Sequence, residues 1–433
     1  MITQGQELTI EYDERTLYDM GFKDNQLVFV SVGVGGRAAW AEWPSAQPAP
    51  ARARLPTLLL LDPIYFHQLF TLMQALGQMK EPRTTGEPMA HTKAQLLSRR
   101  VWDILQAVPL NPTLLEAFQN PTESKLPELL DPTSPQKLMY SLHIIDKLSS
   151  NSNGPNVKET TGNIEKTEED KVSVENWNEL FIKKGGLRLL YDIMMSGVLQ
   201  RNDDSEWRQD CLALLLQLLC RIGTLPSSDP AQTPKLHPAL LSLMSVEETT
   251  ERLISILCEA ATIKEPTTYK TGFWGRAQVV QHAMRMCVWW ARGGGDAVAL
   301  AWSLRRAAPR LLLDDADPAV RREAGTALYR LCAGGEVAVL APLLQLLLEH
   351  LPRAADMRPH HPHHHHEVVH HHAEEGKEPY GPACRDYFWL VCRLIDGLPE
   401  DFFKEGATSE DSGAPDLNEL CEQIRSSLES REI

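Results

Sequence analysis

The residues best suited to chemistry in this 433-residue chain are its histidines and cysteines. Ten of the 15 histidines fall between His350 and His372, densest at His360-His361-Pro362-His363-His364-His365-His366 and at His370-His371-His372. Neutral imidazoles bind zinc, nickel or copper. A metal site also needs ligands in fixed geometry, each steadied by a second hydrogen-bond partner. A uniform run in a proline-flanked loop supplies neither, so it reads as a low-complexity insertion, and no residue is assigned as a metal ligand. It would still bind a nickel column, and metal storage stays open as a separate reading. The eight cysteines make no C-x-x-C pair and show no framework spacing. Cys211, Cys220, Cys332 and Cys392 sit in apolar stretches of helical period, which points to core thiols in a reducing, intracellular setting. Gly293-Gly294-Gly295 lacks the Lys-Ser/Thr that a phosphate loop needs. Asp203-Asp204 lies in a polar loop with nothing to perturb a carboxyl. No catalytic or cofactor-binding residue is assigned, and no cofactor is expected.

The elements that would position any site are helical. Asp317 is a helix-start residue, and Pro318 fits the first turn, where no amide hydrogen is required. Val320, Ala324, Ala327, Leu328 and Leu331 recur at helical spacing, with Arg321, Arg322, Glu323 and Arg330 opposite. Gly334-Gly335 supplies a stop. Leu340, Leu343, Leu344, Leu347, Leu348 and Leu351 form a second apolar band that ends before Pro352. Two such helices should pack antiparallel, and neither can bury its face alone, so each pair needs a neighbouring pair. The pattern resembles one HEAT or armadillo-type repeat. It predicts a mostly α chain built as an armadillo/HEAT-like α-solenoid: a scaffold rather than a pocket.

Helical repeats are expected over residues 57–148 and 173–352, with C-terminal helices over 379–433. In the first block, Phe66, Leu69, Phe70, Leu72, Met73 and Leu76 should face inward. So should Leu96, Leu97, Val101, Ile104, Leu105 and Val108, leaving Arg99, Arg100 and Asp103 outside and Trp102 at the edge. The apolar stretch Glu206 to Ile222 should be central in its layer. Trp289, Trp290 and Trp302 read as packing between layers. Residues 33–56, rich in Gly, Ala and Pro, form a linker. Residues 149–172 are polar and charged, and 353–378 carry the histidines; both segments are too poor in large apolar groups to repay ordering.

Residues 1–32 differ. Met1-Ile2-Thr3 and Gln6 to Ile10 are short strand candidates about Gly5, Thr16-Leu17 and Gly21-Phe22-Lys23 follow, and Gln26 to Val32 makes a last strand. The order resembles the second half of a ubiquitin-like domain, a partial β segment ahead of the helices. The first strands and helix of that family would precede Ile2. Either the protein extends upstream, the favoured reading, or these strands borrow cover from the helices. The resemblance implies a partner-binding surface at Ile2, Val28 and Val30, or else a plain spacer.

Leu97-Ser98-Arg99-Arg100-Val101-Trp102-Asp103-Ile104-Leu105, Pro109-Leu110-Asn111-Pro112, Ala117-Phe118-Gln119-Asn120 and Cys384-Arg385-Asp386-Tyr387-Phe388-Trp389-Leu390 together resemble the non-catalytic helical region of very large ubiquitin-specific peptidases. That family implies thiol-dependent hydrolysis of ubiquitin isopeptide bonds, with ubiquitinated substrates or adaptor proteins as partners. Its nucleophile sits in a Gly-Asn-Thr-Cys-Tyr type box and its histidine follows a glycine. No cysteine here follows Asn-Thr and no histidine follows Gly. The chain is therefore expected to be inactive alone and to serve as a scaffold, in the cytoplasm, the nucleus or both. A stand-alone HEAT/armadillo adaptor is the alternative. The formal charge of −15 argues against nucleic acid as a partner, and the leucine-rich stretch from Leu212 to Leu219 is too short to span a bilayer, so no membrane partner is expected.

Overall fold

The computed structural model describes residues 2–3, 6–7, 62–152 except 83 and 87, 176–200, 206–262 except 230, 275–356 except 315, 316 and 335, 382–403 and 415–430. The chain divides into two units, Met1–Asp62 and Pro63–Ile433. In the first, β1 (Ile2–Thr3) and β2 (Gln6–Glu7) pair antiparallel, Ile2 opposite Glu7 and Thr3 opposite Gln6. These coincide with the strand candidates about Gly5. A hairpin of this length does not define a ubiquitin-like domain; Val28, Val30 and the linker over 33–56 lie outside the described residues.

The second unit is helical. It opens with α1 (Pro63–Gln78) and α2 (Thr92–Ala107), joined through the short antiparallel pair β3 (Lys80–Glu81) and β4 (Met89–Ala90). There follow α3 (Pro112–Gln119), capped by Asn111, then α4 (Leu126–Leu129) and α5 (Pro135–Ser152). Helix α5 runs past residue 149, where an unstructured insertion was expected to begin; residues 153–172 are outside the described set. Next come α6 (Trp177–Lys183), α7 (Gly186–Ser196), α8 (Glu206–Ile222), α9 (Pro238–Leu241) and α10 (Val246–Thr262). The unit continues through α11 (Arg276–Gly293), α12 (Ala297–Leu304), a π-helical turn (Arg310–Asp314), α13 (Pro318–Cys332) and α14 (Val337–Glu349). It closes with α15 (Leu351–Ala355), α16 (Pro382–Asp396) and α17 (Pro415–Glu429).

The contacts arrange these helices in two rows. In one, α5 packs on α8, α8 on α11, α11 on α13 and α13 on α16; in the other, α10 packs on α12, α12 on α14 and α14 on α17. The local signals match. Asp317 Oδ1 accepts the Ala319 amide at 2.8 Å, and Val320, Ala324, Leu328 and Leu331 of α13 are buried. Helix α14 buries Leu340, Leu343, Leu344, Leu347 and Leu348, but Pro352 does not end the helical path: it opens α15 in its first turn. The α13–α14 pair touches itself far less than it touches the helices on either side. The leucine faces are thus buried chiefly against helices outside the pair. Helix α8 is central, with Leu212, Leu215, Leu216, Leu219 and Cys220 all buried. Gly185, in the left-handed region at φ 85°, turns the chain between α6 and α7, and a Cβ on Gly186 would lie 2.3 Å from the Phe181 ring. Only glycine fits at both positions.

The inward face expected for α2 holds at Val101 and Leu105 but fails at Leu96, Leu97, Ile104, Arg99 and Trp102. In α2 the buried side chains are Ala94, Gln95, Ser98, Arg99, Val101, Trp102 and Leu105, while Leu96, Leu97 and Ile104 are 42%, 52% and 43% exposed. In α1, Leu72 is likewise exposed. Helix α2 has apolar residues on both sides, so its period could not choose between them. The polar side goes in with a donor on each of Gln95, Ser98 and Arg99 engaged. Gln95 Nε2 donates to Gly77 O at 2.7 Å, Ser98 Oγ donates to Met73 O at 2.8 Å, and Arg99 Nη1 donates to Asp210 Oδ2 at 2.9 Å.

Candidate functional site

Thiols come first, because a nucleophile needs a thiolate. Cys211 is held well above the ordinary thiol range by burial, then by the Asp210 charge. Burial pushes Cys220, Cys287 and Cys332 up to about 12. The Cys211 thiol donates to Pro135 O at 3.1 Å, and the Cys220 thiol to His282 O at 3.6 Å, a backbone oxygen rather than an imidazole. Cys392 breaks the expected pattern: it is exposed, on the outer side of α16.

The described histidines do structural work. His91 Nδ1 accepts the Ala94 amide at the start of α2, and His237 Nδ1 accepts the Ala239 amide at the start of α9. His282 is buried in α11, with Nδ1 lacking a hydrogen-bond partner. Burial, aided by the nearby charges of Arg285 and Arg221, pushes its pKa down to about 4. Among the described residues, no cysteine sulfur shares a hydrogen bond with an imidazole, and no three His, Cys, Asp or Glu side chains are grouped to hold a metal ion. The histidine run over 360–372 lies outside them. Among the described residues, no helix is long and apolar enough to cross a membrane.

Two other places concentrate polar groups. One is interior: the Arg99–Asp210 ion pair, both side chains 5% exposed, sits against Trp207, whose ring centroid lies 5.7 Å from the guanidinium carbon. Trp102 meets Trp207 and Tyr140 edge to face, at 5.8 and 6.3 Å between centroids, and the Tyr140 hydroxyl accepts the Asn111 amide at 2.9 Å. This cluster is buried and joins α2 and α3 to α5 and α8.

The other is on the surface. An open acidic trough lies between α14 and α17, lined by Glu349, Glu419 and Glu422. A smaller depression of about 190 Å³ lies between α13 and α16, with Arg321, Arg322, Gly325 and Trp389 among its lining. Trp389 is 46% exposed. Its exposure was not anticipated from the sequence, although a signal existed. The buried stripe of α16 runs Tyr387, Leu390, Val391, Leu394, and residue 389 falls off that stripe on a helix.

Comparison with known proteins says what this helical stretch is similar to. No family model matches the chain. Over its whole length, however, the chain is homologous to one stretch of the ubiquitin carboxyl-terminal hydrolases. It is 34% identical to ubiquitin carboxyl-terminal hydrolase puf of Drosophila melanogaster and 29% identical to ubiquitin carboxyl-terminal hydrolase 34 of Homo sapiens. Each match takes in 100% of this chain but only 15% and 14% of the relative. The resemblance noted in the sequence therefore holds from end to end, and the chain corresponds to about one-seventh of these relatives.

Proposed function

We propose that this stretch is a non-catalytic scaffold of a deubiquitinating enzyme. Its helix rows form an armadillo/HEAT-type α-solenoid that presents ubiquitinated substrates or adaptor proteins to a thiol peptidase domain encoded elsewhere in the protein. The full-length similarity to a small part of two very large hydrolases carries this reading. Support comes from the thiols: the sequence has neither the Cys nor the His box, and deeply buried cysteines with raised pKa values are poor nucleophiles. The two-row contact order supports the solenoid, since each pair buries its neighbour's apolar face. Within the ubiquitin-like segment, Ile2, Val28 and Val30 are the proposed partner-binding positions. The cytoplasm, the nucleus or both are the proposed compartment.

The test is direct. The purified chain, incubated with ubiquitin carrying a thiol-reactive C-terminal group, should remain unlabelled, and a covalent adduct at any of its cysteines would contradict the scaffold role. Reading the transcript beyond the codon for Ile433 separates this proposal from a stand-alone adaptor: the scaffold requires Cys and His boxes in the same frame.

A further inference from the structure

We infer that the depression between α13 and α16 is a docking site for one apolar side chain of a partner protein, flanked in that partner by a carboxylate. The inference rests on the scaffold reading and names the surface through which it would act. Four observations carry it.

Gly325 lies in the interior of α13, where glycine weakens a helix relative to alanine. No steric demand explains it. Its φ is not positive, and a Cβ built there meets nothing nearer than Leu312 Cδ2 at 3.9 Å, an ordinary contact. Alanine would fit and would strengthen the helix. What it would remove is part of the room in the depression that Gly325 lines.

The wall is a rigid aromatic. Trp389 is held from two sides, by the Tyr329 ring at 5.6 Å between centroids and by the Arg393 guanidinium 5.8 Å from its own centroid. Trp, Tyr and Arg are the residues that dominate binding energy at protein interfaces. Tyr387 also lines the site, but its hydroxyl is already engaged, donating to Leu347 O at 2.6 Å. An apolar guest loses nothing there.

Charge selects what lies beside that guest. Among the described lining residues, Arg321 and Arg322 stand beside one carboxylate, Asp386, in a chain whose overall charge is −15. A local positive excess on an acidic molecule favours a partner's Asp or Glu. Size selects the kind of ligand. A volume of about 190 Å³ is below the roughly 300–1,000 Å³ of small-molecule sites, so it suits one anchoring side chain of a protein.

The experiment uses the full chain. Random peptides of about twelve residues, displayed on phage, are selected on it; the expected winners carry Leu, Met or Phe next to Asp or Glu. A selected peptide bearing fluorescein should bind Gly325→Ala about tenfold more weakly by anisotropy, although that variant melts at a higher temperature than the parent. Arg322→Glu and Trp389→Ala should each weaken binding by about tenfold with unchanged circular dichroism. The site is overturned if no peptide or only basic peptides are enriched, or if affinity is indifferent to Gly325→Ala and Arg322→Glu. Neither result bears on the scaffold role, which is decided by thiol labelling and the downstream reading frame.

Discussion

Helices α2 and α16 make opposite choices about what to hide. Helix α2 turns Gln95, Ser98 and Arg99 inward and leaves Leu96, Leu97 and Ile104 outside. Helix α16 buries Tyr387, Leu390, Val391 and Leu394 and leaves Arg385, Trp389 and Arg393 outside. The difference lies in the supply of matched partners. Around α2, the carbonyls of Met73 and Gly77 and the carboxylate of Asp210 stand at hydrogen-bond distance and engage donors of Ser98, Gln95 and Arg99, which offsets much of the cost of desolvating the polar side. Around α16 the neighbouring surfaces of α13 and α14 offer mainly aliphatic groups, and the leucine side goes in. Burial follows complementarity first and greasiness second.

The largest effect should come from breaking the buried pair. Arg99→Ala strands the Asp210 carboxylate in a site with about 5% exposure, and should cost about 3–5 kcal/mol in urea unfolding. Replacing both partners with methionine and leucine should recover most of that loss. If the single change is nearly neutral, the contrast between the two helices rests on something other than the ion pair.

The next effect is a pH dependence. His282 is held neutral in the fold, its pKa pushed from 6.5 down to about 4, so the unfolded chain binds the extra proton first. Its contribution is fully present above about pH 6.5 and is lost as the pH falls towards 4, a change on the order of 3 kcal/mol. Thermal unfolding between those values should show a falling Tm, and His282→Asn should flatten the slope. An unchanged slope would remove His282 as the cause.

The smallest effect sharpens the comparison most. Leu97 is 52% exposed, so Leu97→Gln should change stability by no more than about 0.5 kcal/mol. A core leucine at that position, as the period alone suggests, would cost about 2–5 kcal/mol on truncation to Ala. Chemical denaturation of this one variant distinguishes the two faces.

Much of the helical order was legible in the residues. Asp317-Pro318, the leucine bands of α13 and α14 and the largely apolar α8 are local signals, and local signals survive folding. The polar part of the buried face of α2 was not legible, because the carbonyls and carboxylate that Gln95, Ser98 and Arg99 donate to come from residues 18 to 111 positions away. Exposure of Trp389 and Cys392 was missed for a related reason. Helix α16 is amphipathic, but a tryptophan and a cysteine look apolar in a sequence whichever way they point. The open space beside Gly325 depends on the absence of side chains from α13, α16 and the π-helical turn together, and no spacing within one helix could disclose it.

The row of α5, α8, α11, α13 and α16 has a mechanical consequence. Each member rests on those immediately before and after it, so cohesion is shared along the row rather than concentrated in one central block. Tension applied to the two ends would be relieved by peeling outer helices in turn, with the remainder still folded.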